Sequence, residues 1–151
     1  MNMINISRRR LFKSLALIAT ASLIPNWVYA AWPKTAFEAV ELNDAIKHLY
    51  ASEPIESDQV KLKAPDIAEN GAVVPITVST DMADVKGISI YAEGNPNPLV
   101  ASFELGEFNV ASVSTRIKMG KTANVVAAIH AGGKVYTARQ EIKVTIGGCG
   151  G

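Results

Sequence analysis

The residue best suited to chemistry in this sequence is its only cysteine, Cys149, which has two glycines on each side. A cysteine kept for packing behaves as a small buried hydrophobe, but glycine neighbours offer it nothing to pack against. Glycine also allows backbone angles that other residues avoid. The flanking Gly147, Gly148, Gly150 and Gly151 can therefore present the thiol in several directions. The pattern predicts a covalent attachment point on a flexible C-terminal arm, residues 147–151.

The other side chains capable of catalysis are scattered along the chain. The two histidines, His48 and His130, have no Asp, Glu or second His at a ligand spacing, so we expect structural or surface roles for both. One Cys and two His cannot form a closed structural zinc site. The carboxylates show no pair suited to general acid and base catalysis. We therefore expect no catalytic residue, no metal and no bound cofactor, and we expect the chain to be a substrate of other enzymes.

Residues 1–30 have the pattern of an export signal peptide. The paired Arg8 and Arg9 precede an apolar run, and a small-residue cleavage pattern ends at Ala30, with Ala31 next. The apolar run is short for a membrane span, which needs about 20 residues, and it fits a removable peptide. Paired arginines of this kind resemble the twin-arginine address. We expect a periplasmic protein without a membrane anchor that crosses the membrane folded, together with a partner that has no signal of its own.

Charge argues against nucleic acid as a partner. The signal peptide holds four of the 15 Lys and Arg and none of the 14 Asp and Glu, so its removal makes the chain slightly acidic. Nucleic-acid phosphates call for clustered Lys and Arg, which the composition does not provide. The remaining length suits one domain, which we expect to cover residues 31–146. Its single cysteine has no second cysteine for an internal bridge, so it either pairs between chains or acts as a reactive thiol.

The domain begins with a predicted helix. Thr35 and Glu38 have the spacing of a capping box, and apolar residues then recur at spacings of three and four until Pro54. These apolar positions are Ala39, Leu42, Ala45, Ile46 and Leu49.

From Val60 onward the apolar period changes to two, which predicts strands. We expect seven of them, around residues 60–64, 74–78, 88–90, 99–105, 113–117, 125–129 and 134–146. Pro75 cannot donate to a ladder, so its strand should be at a sheet edge or a bulge there. Gly132 and Gly133 predict a hairpin between the last two strands. Short strands separated by Gly, Pro and Asn residues are typical of a mainly β protein, an immunoglobulin-like antiparallel β-sandwich.

The residues themselves leave two functions open. In one, Cys149 carries covalent cargo to partner enzymes. In the other, the chain is a secreted β-sandwich binding module that a Cys149 disulfide links to another chain. An exposed thiol in an oxidising compartment is soon oxidised or capped, and a permanent link would not need glycine on both sides of the sulfur. We therefore favour the carrier.

Four stretches resemble the SoxY family, the sulfur-carrying subunit of periplasmic thiosulfate oxidation. They are APDIAENGAVVP at 64–75, NPNPLVASF at 95–103, KVTI at 143–146 and the terminal GGCGG. The resemblance covers the whole chain after the signal, and the twin-arginine start fits the same family.

The resemblance implies a mechanism and a set of partners. A haem cytochrome would join thiosulfate oxidatively to Cys149, a dimanganese hydrolase would release the terminal sulfonate as sulfate, and a molybdenum and haem sulfane dehydrogenase would oxidise the remaining sulfur. Gly147, Gly148, Gly150 and Gly151 would be the swinging arm that enters narrow active sites. The chain would work as a heterodimer with SoxZ, a small sandwich subunit exported with it.

Overall fold

The computed structural model describes residues 33–106 and 110–145 of the chain. Two short helices come first, α1 (Lys34–Glu38) and α2 (Leu42–Tyr50). Nine strands follow: β1 (Pro54–Glu56), β2 (Lys61–Lys63), β3 (Ile67–Ala68), β4 (Val74–Ser79), β5 (Val85–Ala92), β6 (Leu99–Glu104), β7 (Ser112–Ile117), β8 (Ala123–Ala131) and β9 (Lys134–Val144). The seven predicted strands are all present, and β1 and β3 are additional.

The strands form two sheets. In the large sheet the order is β1-β9-β8-β5-β6, and β3 pairs with the far end of β9. The small sheet has the order β2-β4-β7. All pairs are antiparallel except two, because β1 and β3 both run parallel to β9. The predicted β-sandwich is therefore confirmed, with two short parallel strands added along its last strand.

The large sheet is buried on both faces, which explains the apolar character of β8. Val125, Ala127 and Ile129 face a core shared with the small sheet. The alternate residues Val126 and Ala128 face a second core beneath the two helices. Since successive side chains of a strand point to opposite faces, a strand between two cores is apolar at nearly every position. The described domain thus has three layers: helices, large sheet and small sheet.

The hairpin between β8 and β9 forms as predicted. Gly132 and Gly133 have φ angles of +55° and +73°, and a tight turn of type I′ requires positive φ at both central residues. The turn aligns the long β9 with β8 from Lys134 to Ile142. It therefore sets the register that determines where the end of β9 lies.

The single predicted helix is wrong, because residues 34–50 form two helices with a break between them. Ala39 has extended backbone angles (φ −62°, ψ 140°). The residue before the first helical turn is Pro33 and no side chain caps that end, so the capping box of Thr35 and Glu38 does not form. Asn97 instead donates from Nδ2 to the carbonyl of Glu38 at 3.1 Å. This long-range contact supplies a partner for the end of α1, which the local pattern did not reveal.

Pro75 has a neighbouring strand on one side only. It lies opposite Arg116 of β7, whereas β2 covers only residues 77–79 of β4. A proline has no amide hydrogen to donate to a ladder, and β2 is absent beside it. β4 is the middle strand of the small sheet and its pairing with β7 has no bulge at Pro75, so the predicted edge strand or bulge is wrong, and the proline is accommodated because it lies beyond the end of β2.

Two tyrosines join α2 to the large sheet. The Tyr50 hydroxyl lies 2.5 Å from Ser89 Oγ, and Ser89 donates to Ser102 Oγ at 3.0 Å. Tyr91 is fully buried, and its hydroxyl has no hydrogen-bond partner that meets geometric criteria among the described residues. Burial, as the main cause, raises the pKa of both tyrosines above the ordinary value of 10.0.

These shifts predict a loss of stability in alkaline solution. As the pH rises through about 10, tyrosines ionise in the unfolded chain before Tyr50 and Tyr91 ionise in the folded chain, so the unfolding free energy falls as pH rises. The loss from one tyrosine has an upper limit of about 1.4 kcal/mol per pH unit. We expect Tyr91→Phe to weaken this dependence, measured by urea unfolding between pH 8 and 11. Identical slopes for the variant and the wild type would contradict the prediction.

Candidate functional site: the root of the C-terminal segment

The predicted arm and attachment residue, residues 147–151 with Cys149, lie outside the described residues, as do Arg8, Arg9, Ala30 and Ala31 of the predicted signal. The structure does describe the point from which the C-terminal segment departs. This point is the end of β9 at Val144, followed by Thr145. The residues that hold this strand end form the described part of the candidate site.

The backbone at the end of β9 is hydrogen-bonded on both of its edges. On one edge, Lys143 N donates to Asp66 O at 2.9 Å and Thr145 N donates to Ala68 O at 3.0 Å, across the parallel pairing with β3. On the other edge, Val144 N donates to Thr122 Oγ1 at 2.9 Å. Strand ends usually fray, but this one is fixed to its neighbours up to residue 145.

A tight turn packs against the same strand end. Ala72 N donates to Asn70 Oδ1 at 2.9 Å, and Met119 N donates to Gly71 O at 2.7 Å. A Cβ added at Gly71 would lie 2.5 Å from the carbonyl oxygen of Met119 and 2.8 Å from Cγ1 of Val144. Only glycine allows this close approach, so the Asn-Gly sequence positions the turn on β9.

The loop that contains Asn95 joins the same region. Asn95 donates from Nδ2 to the carbonyl of Lys118 at 2.8 Å, and its Oδ1 accepts from Gly120 N at 3.0 Å. Residues 118–122 therefore contact three segments that are distant in the sequence: the turn at 70–73, the loop at Asn95 and the end of β9. We call this assembly, residues 66–73, Asn95, 118–122 and 143–145, the root platform.

The root platform contains stretches that carried the family resemblance. Residues 64–75 and 143–145 pack directly against each other, and Asn95 reaches the same loop. The contribution of Thr122 was missed because a lone threonine between strands gives no local signal. The Asn-Gly pair at 70–71 was a recognisable turn signal, but its contact with β9 depends on the tertiary fold.

Neither histidine belongs to the root platform. His48 is exposed on α2. His130 lies seven residues along β8 from Ala123, a distance of about 23 Å at the rise of a strand, and its ring centroid is 5.1 Å from that of Tyr50. His130 also lines a shallow groove of about 380 Å³ with Tyr50 and Glu104. The expected structural role fits the contact between His130 and Tyr50.

The charged side chains of the root platform are exposed. Lys121 and Lys143 face solvent, and Asp66 accepts from Gln140 Nε2 at 3.0 Å through Oδ1. Within residues 33–106 and 110–145, no group of three or more His, Cys, Asp and Glu side chains is placed to hold a metal ion. Over the same part of the chain, no helix is both long and apolar enough to cross a membrane. The described site therefore fixes the end of β9 and carries exposed charged side chains on its surface.

The architecture defines the class of this protein as a small β-sandwich of immunoglobulin-like type with helices over one sheet. It is similar to the sulfur carrier protein SoxY of Chlorobium limicola f thiosulfatophilum, with 46% sequence identity, a TM-score of 0.63, and coverage of 70% of this chain and 96% of that chain. The family described as sulfur oxidation protein SoxY matches residues 46–149. The chain belongs to the SoxY family, and this membership supports a carrier role in sulfur oxidation.

A more distant likeness concerns the fold alone. A variant of the superoxide reductase (neelaredoxin) of Ignicoccus hospitalis has 20% sequence identity and a TM-score of 0.54, with coverage of 61% of this chain and 94% of that chain. A comparison with curated protein sequences finds no match. This likeness at 20% identity shows a shared fold only. A fold by itself does not define a function.

The close packing at Gly71 yields a prediction about stability. We expect Gly71→Ala to lower the unfolding free energy by about 1–3 kcal/mol, because the new methyl group would overlap a backbone carbonyl and Val144. Gly120→Ala is the matched control, since a Cβ there meets only Asn95 Oδ1 at 3.8 Å. Urea unfolding of both variants measures the difference. Equal stability of the two variants would show that the root platform is loosely packed.

Proposed function

We propose that Cys149 is the covalent attachment point for sulfur derived from thiosulfate, and that the chain presents this cargo to partner enzymes. The observation that carries the proposal is the fixed end of β9, four residues before a cysteine that terminates the family match at residue 149. Covalent geometry limits the span from Thr145 to Cys149 to about 14 Å. A fixed root and a short glycine-rich segment suit a thiol that must enter active sites on other proteins.

The chemistry divides into two balanced steps on the sulfur of Cys149. In the first, the thiol and thiosulfate form a sulfur–sulfur bond, releasing one proton and two electrons, which a haem cytochrome accepts. In the second, water cleaves the bond to the terminal sulfonate, releasing sulfate and two protons and leaving a persulfide anion on Cys149. A dimanganese hydrolase performs this cleavage, and a sulfane dehydrogenase oxidises the persulfide sulfur. The carrier itself needs no cofactor, because these partners supply the metals and haem.

We also propose the compartment and the permanent partner. The chain reaches the periplasm by the twin-arginine route, through Arg8 and Arg9, and loses its signal between Ala30 and Ala31. It travels bound to a small SoxZ-like sandwich subunit. The absence of a signal on that subunit would explain why a folded pair, and not a single unfolded chain, uses this route.

Substitution of the cysteine tests the carrier role directly. We expect Cys149→Ala to abolish the mass gain that the wild type shows when incubated with thiosulfate, the haem cytochrome and an electron acceptor, because only the thiol can form the new bond. Intact-mass spectrometry measures the gain, and circular dichroism checks the fold. Mass gain by the variant would contradict the proposal.

Two results on the wild type would favour other functions. Turnover of thiosulfate by the purified chain alone would place it among enzymes. A wild type found only as a disulfide-linked pair would favour the binding module.

Substitution of the glycines tests the role of the arm. We expect Gly148→Val to slow enzymatic loading of Cys149 by at least about tenfold, since small displacements of a reacting group reduce rates strongly, while the unfolding free energy stays unchanged. The matched control is chemical labelling of Cys149 by a small maleimide in solution, which requires no narrow channel. Equal slowing of both reactions would show that valine blocks the thiol itself and would contradict a role in channel entry.

A further inference from the structure

The outer face of the small sheet carries basic residues and no acidic ones. The strands β2, β4 and β7 contain Lys61, Lys63 and Arg116 and no Asp or Glu. Leu62, Val78 and Ile117 face the core, so the alternate positions on the same strands face outward. Lys63 lies opposite Thr77, and Arg116 lies opposite Pro75, which places both basic residues on the outer face.

Two of these cations, and Lys118 just after β7, have no acidic partner within the described part of the chain. Lys61 forms an ion pair with Asp81, but Lys63, Arg116 and Lys118 form none with a described residue. All three are exposed. Strand spacing separates the backbones of Lys63 and Arg116 by about 12 Å, and Lys118 follows two residues after Arg116. We call these three residues the cationic strip.

The cationic strip leads into the root platform. Arg116 is next to the last residue of β7, and the carbonyl of Lys118 accepts from Asn95 within the platform. Met119, the next residue, donates to Gly71, the glycine that packs against Val144. A protein surface that meets the strip is therefore beside the departure point of the C-terminal segment.

The opposite side of the domain has the opposite charge. Residues 33–56, which include both helices and β1, contain five acidic and two basic side chains. The helices cover the face of the large sheet that points away from the small sheet. The charge is thus separated across the three layers, and a protein with separated charges is oriented by the field of a charged partner as it approaches.

We propose that the cationic strip docks on an acidic rim around the active-site entrance of the enzymes that take up the C-terminal arm. The inference rests on the proposed function and adds the surface that aligns the arm. Charge complementarity favours an acidic protein over nucleic acid, because three cations on a slightly acidic chain are too few for a phosphate backbone. It also favours a protein over a small anion, because the cations are spread over an open sheet, with the backbones of Lys63 and Arg116 about 12 Å apart.

Charge reversal with a matched control tests the docking surface. The test variant is Lys63→Glu with Arg116→Glu, and the control is Lys34→Glu with Lys134→Glu, which changes the net charge equally on α1 and at the β8–β9 turn. Loading of Cys149 by the haem cytochrome is followed by intact mass at low and high salt. We expect the test variant to load about tenfold more slowly at low salt, to reach the same final mass, and to approach the wild-type rate at high salt.

The possible outcomes separate this inference from the proposed function. If the wild type gains no mass, the carrier role fails whatever the strip does. If the wild type loads but the test and control variants slow equally, net charge alone acts and the docking surface is wrong. Slowing that persists at high salt also overturns it. The neutral variant, Lys63→Gln with Arg116→Gln, controls for misfolding caused by the introduced acidic residues. It should load at a rate between those of the wild type and the charge-reversed variant.

A small anionic reagent distinguishes docking from attraction of the cargo. Cys149 is labelled with a sulfonate-bearing methanethiosulfonate and, separately, with its trimethylammonium counterpart. If the strip serves protein docking, the ratio of the two labelling rates stays the same in the test variant and the wild type. A fall in the ratio that matches the fall in enzymatic loading would assign the strip to the anionic cargo and overturn docking.

Discussion

The structure depends on the fixation of the end of β9. Two backbone amides donate to β3 and its approach, and one donates to the Thr122 hydroxyl, so both edges of the strand are occupied up to residue 145. Each bond alone contributes about 1 kcal/mol, but together they prevent the fraying that a terminal strand would otherwise undergo. The parallel pairing with β3 thus gives the residues that follow Thr145 a fixed starting point.

The two cores explain how so small a domain keeps this strand in place. Ile142 and Val135 of β9 are fully buried, the first in the core between the sheets and the second in the core beneath the helices. Because β9 is held from both faces, displacement of its end would disturb both cores. The helices therefore support the root of the C-terminal segment without touching it, and the small sheet contributes the turn and loop that pack on its last residues.

The sequence was most informative where the pattern is local. The period of two predicted seven strands, and paired glycines predicted the β8–β9 turn. The two-residue strand β3 and the three-residue strand β1 are too short to show a period, and their pairing partner is about 80 residues away, so they could not be predicted. The break at Ala39 coincides with a long-range contact from Asn97, which a local pattern cannot show. The root platform was missed for the same reason, since Asn95, Thr122 and Gly71 meet only after folding. The attachment residue, Cys149, was predicted from its glycine neighbours and lies outside the described residues.

The parallel pairing of β1 and β3 with β9 also constrains the order of folding. The partner of these two early strands is the last strand in the described part of the chain, so the large sheet lacks its longest described strand until the chain has been made through residue 144. Non-local pairings of this kind form slowly, since loop closure precedes any gain from contact. During synthesis the early strands therefore remain without their sheet neighbour. In the proposed export of a folded chain, this sheet is complete only after the domain through residue 144 has left the ribosome.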